Sequence, residues 1–126
     1  MEQSEIPQHK PGPLAVMEGL FDPQTLNQLS WAPMRPGVEV VPIYGRPGEG
    51  PAAALLRYQP GAMLPYHTHS GYEHILILTN RQCDQNGCYP RGSLVVHPPG
   101  SRHTVASPDG GIALVIWEKP VVFSET

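Results

Sequence analysis

Seven or eight short apolar runs, spaced near ten residues apart with turn signals between them, predict an all-β sandwich or small barrel. Sixteen Pro and thirteen Gly support this. They follow no short period, which excludes collagen, and they fall between the apolar runs, where they read as turns. No stretch carries long helical periodicity or a helical repeat. A chain of 126 residues makes one domain, and 40% hydrophobic content is enough for a real core.

Taken in order, residues 1–13 read as a flexible arm and 14–126 as the domain. Leu20, Phe21, Leu26 and Leu29 are scattered apolar anchors. Asp22-Pro23 is able to open a short helix, with Asp22 as N-cap and Pro23 at the first helical position. Trp31 to Gly37 reads as a break. Val38 to Tyr44 is a strand, at an edge or bulge because of Pro42. Ala52 to Tyr58 is a second strand, ended by Pro60-Gly61, and Leu64 to His69 a third. Glu73 to Thr79 is the strongest strand signal, and it is apolar on both faces. One face belongs to a barrel interior, the other to a second layer or another subunit; the second possibility motivates a homodimer. Gly92 to His97, Ile112 to Trp117 and Val121 to Phe123 complete the strands.

Charge narrows the function. Charged residues are only 15% and the formal net charge is −3, with eight Lys and Arg scattered singly. A phosphate-neutralising patch is absent, so nucleic acid is not an expected partner. No run reaches the roughly 18–20 apolar residues of a membrane span, and the first twelve residues carry no apolar signal core, so a cytoplasmic protein is expected. That setting favours free thiols at Cys83 and Cys88, although the four residues between them form a turn able to bring the sulfurs within disulfide reach.

The chemistry concentrates in Gly61 to Glu73. In an extended chain His67, His69 and Glu73 share a parity and face one point. Imidazole nitrogen and carboxylate oxygen are ligands for Zn, Fe, Mn, Ni or Cu. A fourth donor, His103, follows the Pro98-Pro99-Gly100 turn. Alternatively, Glu73 acts as a base beside an ion held by three imidazoles alone. By parity Met63 joins the ligand face while Tyr66 and Tyr72 do not. His97 reads as a surface histidine at a strand end, with a proton-carrying role at the cavity mouth as the alternative. His74 faces out of the barrel. Arg57 and Arg102 are ordinarily solvated, with carboxylate anchoring the sharper reading.

In these motifs the chain resembles the cupin family. Its first motif matches at Gly61, His67, His69 and Glu73, with Asn80 where a final Gly is usual; Asn tolerates the left-handed backbone that Gly would supply. Its second matches at Gly92, Pro98, Gly100 and His103, with Ser107 where Asn is usual. Within cupins, Arg57 to Ala62, the Asp84 to Gly92 hairpin, Pro98 to Ser101 and Trp117 to Pro120 resemble the ChrR-like group over residues 31–123. The resemblance implies a jelly-roll barrel, a metal at His67, His69, Glu73 and His103, and frequent dimerisation. Some stand-alone relatives resemble dioxygenases that cleave carbon–carbon bonds in small diketones or hydroxyketones. This gives the leading expectation: one divalent transition metal (Fe, Zn, Mn or Ni, with iron for an oxygenase) and a small oxygenated substrate. The alternatives are a non-catalytic ligand- or redox-sensing cupin acting on a partner, and a metal cupin with isomerase or hydrolytic activity on a sugar-like substrate.

Overall fold

A computed structural model describes residues 14–123; the expected N-terminal arm lies outside them. One short helix, α1 (Pro23–Asn27), precedes eleven strands. These are β1 (Ala32–Arg35), β2 (Val38–Arg46), β3 (Glu49–Tyr58), β4 (Ala62–His69), β5 (Glu73–Ile77) and β6 (Arg81–Asp84). They continue as β7 (Gly87–Pro90), β8 (Leu94–His97), β9 (Arg102–Ser107), β10 (Gly111–Trp117) and β11 (Val121–Phe123). The six-stranded sheet runs β1-β2-β3-β10-β5-β8 and the five-stranded sheet β11-β4-β9-β6-β7. All pairs are antiparallel, as the turn-rich sequence requires. The fold is a single all-β jelly-roll barrel. No helix among the described residues is long and apolar enough to cross a membrane.

The helix forms as expected: the Asp22 carboxylate accepts a hydrogen bond from the Gln24 backbone N–H and Pro23 occupies the first turn. Two elements escape a reading by apolar pattern. The Trp31–Gly37 break contains β1, an edge strand with three proline-flanked exposed residues. The segment after the Pro98-Pro99 turn is β9, whose alternation of buried His103, Val105 and Ser107 is partly polar and hides its period.

The inner faces of the two sheets bury Val38, Leu56, Tyr58, Ile75, Ile77, Val105, Val115 and Trp117. The outer face of the larger sheet is also covered. Leu26, Leu55, Leu78 and Ile112 form a second buried cluster, with Met17, Leu20, Leu29, Trp31 and Leu76 packed around it. The double-sided apolarity of residues 74–78 is therefore met by the chain's own N-terminal segment, folded over β3, β5 and β10. Beyond that cover, Leu94, Val96 and Ile116 stay exposed.

The expectation of free thiols is overturned. Cys83 and Cys88 are joined in a disulfide across β6 and β7. The cause is register: the hairpin turns at Gln85-Asn86, Asp84 faces Gly87, and the two cysteines are direct cross-strand partners.

Replacing Leu26, fully buried in the outer cluster, with Ala removes the main anchor of the covering segment. Leu26→Ala is expected to cost about 2–4 kcal/mol in a denaturant titration, the usual range for a core leucine left as a cavity.

Candidate metal centre

The site lies between the two sheets and draws on both. On β4, His67 and His69 point inward, and β4 pairs with β9 so that His67 and His103 are direct neighbours. From the other sheet come Glu73, at the first position of β5, and its cross-strand neighbour His97 on β8. The rings of His67, His69 and His103 lie with centroids 4.6–5.1 Å apart. One donor atom from each of His67, His69, Glu73 and His103 lies within 4.8 Å of all the others, and all four residues are buried. The expected quartet is thus brought together.

Each imidazole is oriented from behind. His67 Nδ1 donates to the Pro65 carbonyl at 2.8 Å. His69 Nδ1 lies 2.9 Å from Ser101 Oγ. That hydroxyl gives its own proton to the Pro98 carbonyl at 2.6 Å, so the imidazole must be the donor. His103 Nδ1 donates to Asp84 Oδ2 at 3.1 Å. With the protons assigned to Nδ1, all three Nε2 lone pairs are free, the arrangement that metal-ligating histidines adopt. The turn between β8 and β9 fixes this geometry, because Gly100 N donates to His69 O at 2.7 Å and His69 N to Ser101 O at 2.9 Å. Gly100 has φ of +88°, the region that glycine enters without strain.

Buried polar atoms test whether a cation fits. His69 Nε2, His103 Nε2, His97 Nδ1 and Glu73 Oε1 have no hydrogen-bond partner among the described residues. His69 Nε2 approaches Glu73 Oε1 to 2.9 Å, but the angles do not make a hydrogen bond. Two lone-pair-bearing atoms do not meet at that distance in a dry interior without positive charge between them. A divalent ion at the shared point satisfies three of the orphaned atoms at once. The donor set, three neutral imidazoles and one carboxylate, suits first-row transition metals.

The acid–base state agrees. Burial alone would raise the Glu73 pKa, but the close approach of His69 and His97 and the charge of His69 and His103 outweigh it and bring the carboxyl to about 2. Burial lowers His103 to about 4 against the opposing effect of the hydrogen bond it donates to Asp84. Burial also lowers His67, against the pull of the Pro65 carbonyl and Glu73. At neutral pH the site therefore presents an ionised Glu73 carboxylate and neutral rings at His67 and His103.

Several expectations need correction. His97 is not a surface residue: it is buried, its ring stacks on His69 at 4.7 Å, and Nδ1 is 3.4 Å from Glu73 Oε1. Its position opposite Glu73 on paired strands puts it inside. Met63 does not share the ligand face. It is 63% exposed, because the β4–β9 register shifts between Leu64 and His67 and reverses the alternation. Leu64 faces the cavity instead. Arg57 packs on the outside, paired with Glu39 at 2.8 Å and stacked over Trp31, and Arg102 is exposed. Tyr66 and Tyr72 are exposed and His74 faces outward against Tyr72, as parity requires. Asn80 adopts φ of +56°, in the role usually given to glycine.

Other residues of the site were not legible. Asp84 reads as a turn residue, yet it orients His103 and forms a second potential ligand group with His97 and His103. His67, Glu73 and His103 line a cavity of about 200 Å³. Its walls include Val38, Leu56, Ile75, Val105 and Val115, and Arg35, Tyr58 and Phe123 also face it. Burial pushes the Tyr58 pKa well up, so it remains a neutral phenol. None of these contributions follows from strand parity, since these cavity residues come from seven separate strands.

The metal-free protein is expected to lose stability as pH falls. His103 and His67 have folded pKa values below the unfolded value of 6.5, so between pH 6.5 and about 4 the unfolded chain binds more protons. Glu73 acts in the same direction between 4.5 and about 2. Chemical denaturation of chelator-treated protein at pH 7, 6, 5 and 4 is expected to give steadily falling midpoints, with a shallower decline in His103→Gln.

Comparison with known proteins follows the geometry. The ChrR cupin-like domain family matches residues 23–122. No curated protein matches. Among solved structures, the chain is similar to a cupin-like protein of unknown function from Ralstonia eutropha, at 20% identity and TM-score 0.63, covering 69% of this chain and 63% of that one. It is similar to the anti-sigma ChrR complex with SigE from Rhodobacter sphaeroides, at 23% identity and TM-score 0.63, covering 73% of this chain but 50% of that one. It is also similar to an acetylacetone dioxygenase from Acinetobacter johnsonii, at 12% identity and TM-score 0.73, covering 99% of this chain and 85% of that one. These likenesses establish the fold. The family match spans most of the sequence, and the chain belongs to the ChrR cupin-like domain family.

Proposed function

We propose that the protein is a metal-dependent enzyme of the dioxygenase type acting on a small oxygenated compound such as a diketone or hydroxyketone. His67, His69, Glu73 and His103 hold one divalent transition metal, ferrous iron for this activity. The observation that carries the reading is the convergence of four buried donors beside an enclosed, mostly apolar cavity. When bound, the ion supplies Lewis acidity, one or two open positions and an electron source for dioxygen. The chain supplies the rest. Ser101, Asp84 and the Pro65 carbonyl hold the rings in one tautomer and one direction. The apolar walls exclude water from the reacting centre, and a volume below the roughly 300–1,000 Å³ of drug-sized pockets limits the substrate to a small molecule. The fold-level likeness to an acetylacetone dioxygenase agrees with this choice.

A second reading, a redox-sensing cupin that regulates a partner, has one observation in its favour. The Cys83–Cys88 disulfide lies in the hairpin that carries Asp84, next in sequence to Cys83, and Asp84 orients His103. Under this reading oxidation and reduction change partner binding and no dioxygen is consumed.

Elemental analysis of purified protein is expected to find about one transition-metal ion per chain, and His103→Ala to lose it. Asp84→Asn, which replaces the charged acceptor behind His103 with a neutral amide, should weaken metal affinity by about 10–100-fold. Oxygen-electrode recordings with the iron-loaded protein and a panel of diketones and hydroxyketones should show uptake that His103→Ala abolishes; no uptake with any of them counts against the dioxygenase.

The protein is further proposed to form a homodimer through the exposed apolar strip of Leu94, Val96 and Ile116. Sedimentation is expected to give a dimer at micromolar concentration, and Val96→Glu a monomer.

A further inference from the structure

The cavity has two unlike ends. At one end are His67, Glu73 and His103; elsewhere its lining includes Arg35 and Phe123, with Met34 on β1 and Pro47 and Gly48 in the turn between β2 and β3. Met34 is 41% exposed, which marks the β1 side as the opening. The Arg35 guanidinium sits 4.7 Å above the Phe123 ring, and that ring is 5.2 Å from the His67 ring. Phe123 thus touches both the cation and the ligand cluster. The β1–β2 register shifts between Pro33 and Arg35, and this bulge accompanies the turn of Arg35 toward the cavity from an otherwise exposed edge strand.

Arg35 differs from its counterparts. Arg46, Arg57 and Arg81 each face a carboxylate, Arg91 donates to the Leu78 and Phe21 carbonyls, and Arg102 is exposed to solvent. Among the described residues Arg35 has no carboxylate within ion-pair distance. A half-buried guanidinium at an apolar cavity, with its planar fork unengaged by the described residues, is a site for a carboxylate. Among the described residues Glu73 is the only acidic one lining the cavity, and a divalent ion more than offsets it. The cavity then carries positive charge at both ends and favours an anion.

We propose that Arg35 binds the carboxylate of the substrate, and that the substrate class is a short oxo acid whose carbonyl end reaches the His67–Glu73–His103 cluster. The carboxylate is held by charge-assisted hydrogen bonds and the short chain lies along Phe123 and the aliphatic wall. This rests on the dioxygenase reading for what happens at the carbonyl end, but the binding of the acid does not require turnover. A neutral diketone fits the same cavity and leaves the guanidinium without a partner.

The test is calorimetric, on the protein as purified and under anaerobic conditions. The probes are 4,6-dioxoheptanoate, its neutral isostere 7-methyloctane-2,4-dione, and hexanoate, which has the acid without the dicarbonyl. Wild type is expected to bind the dioxo acid about 10- to 100-fold more tightly than the neutral dione, the scale of a hydrogen bond to a charged group. Arg35→Gln should remove this preference without changing affinity for the neutral dione, and Arg35→Lys should keep part of it. Metal content and melting temperature of both variants should match wild type. Equal affinity of wild type for acid and dione overturns the proposal, as does an Arg35→Gln variant that weakens both alike, or the failure of all three probes to bind. Arg35-dependent hexanoate binding with no oxygen uptake on any dione sustains the carboxylate site and sinks the dioxygenase. Uptake on diones with no preference for the acid does the reverse.

Discussion

A carboxylate buried between two sheets is the constraint around which this fold is arranged. Glu73 is only 4% exposed and carries its charge down to about pH 2. An ionised group so placed is tolerable only with compensating charge and directed dipoles close by. The chain answers with imidazoles from both sheets: His69 and His103 from the smaller, His97 from the strand paired with Glu73 itself. Yet His67, His69 and His103 spend their Nδ1 protons elsewhere, on Pro65, Ser101 and Asp84. They turn lone pairs, not protons, toward the carboxylate. A cluster wired this way is a poor hydrogen-bond network and a good cation cage.

The barrel makes that wiring possible because its two motifs meet across one pair of strands. The His67–His103 pairing of β4 with β9 closes a gap of 36 residues in sequence, and the Pro98–Ser101 turn docks on the His69 backbone through two hydrogen bonds. A shift of register by one residue would turn His103 to the opposite face and leave its neighbours Arg102 and Thr104 in its place. Several constraints hold the register: the Ser107 carbonyl accepts from Gly61 N, Gln85 reaches the Arg102 carbonyl and Thr104 N, and Asp84 holds His103 directly. The disulfide lies in the hairpin that supplies both Gln85 and Asp84.

Much of this was legible in the sequence, for a physical reason. His67, His69 and Glu73 stand close enough along the chain that local strand geometry nearly determines their relation, and His103 follows a turn marked by two prolines and a glycine. Met63 shows the limit of parity: one bulge between it and His67 sends it outward. His97 shows another, since its burial depends on which strand lies beside β8, a fact of topology that no local pattern encodes. Cys83 and Cys88 show a third. A compartment argument favoured thiols, while the two-residue turn at Gln85-Asn86 sets the cysteines opposite each other. The outer apolar face of β5 was read correctly as covered, but its cover turned out to be Leu26 and its neighbours, a weakly patterned segment whose anchors are too scattered to announce a layer.

The cavity carries the same logic toward function. Its aliphatic wall is made of inward positions of the larger sheet and β9, which the core would bury in any case; a small void there needs no special residues. What the core does not require is Arg35. A guanidinium brought by a bulged edge strand to the lip of an apolar void, and resting on Phe123, adds nothing to the barrel's packing that a leucine would not supply without desolvating a charge. Ser101 and Asp84 are explained by the imidazoles they orient, and the imidazoles form a group able to hold an ion. Arg35 stands outside that chain of dependence, and a ligand with a negative end gives it the partner that the described part of the protein does not.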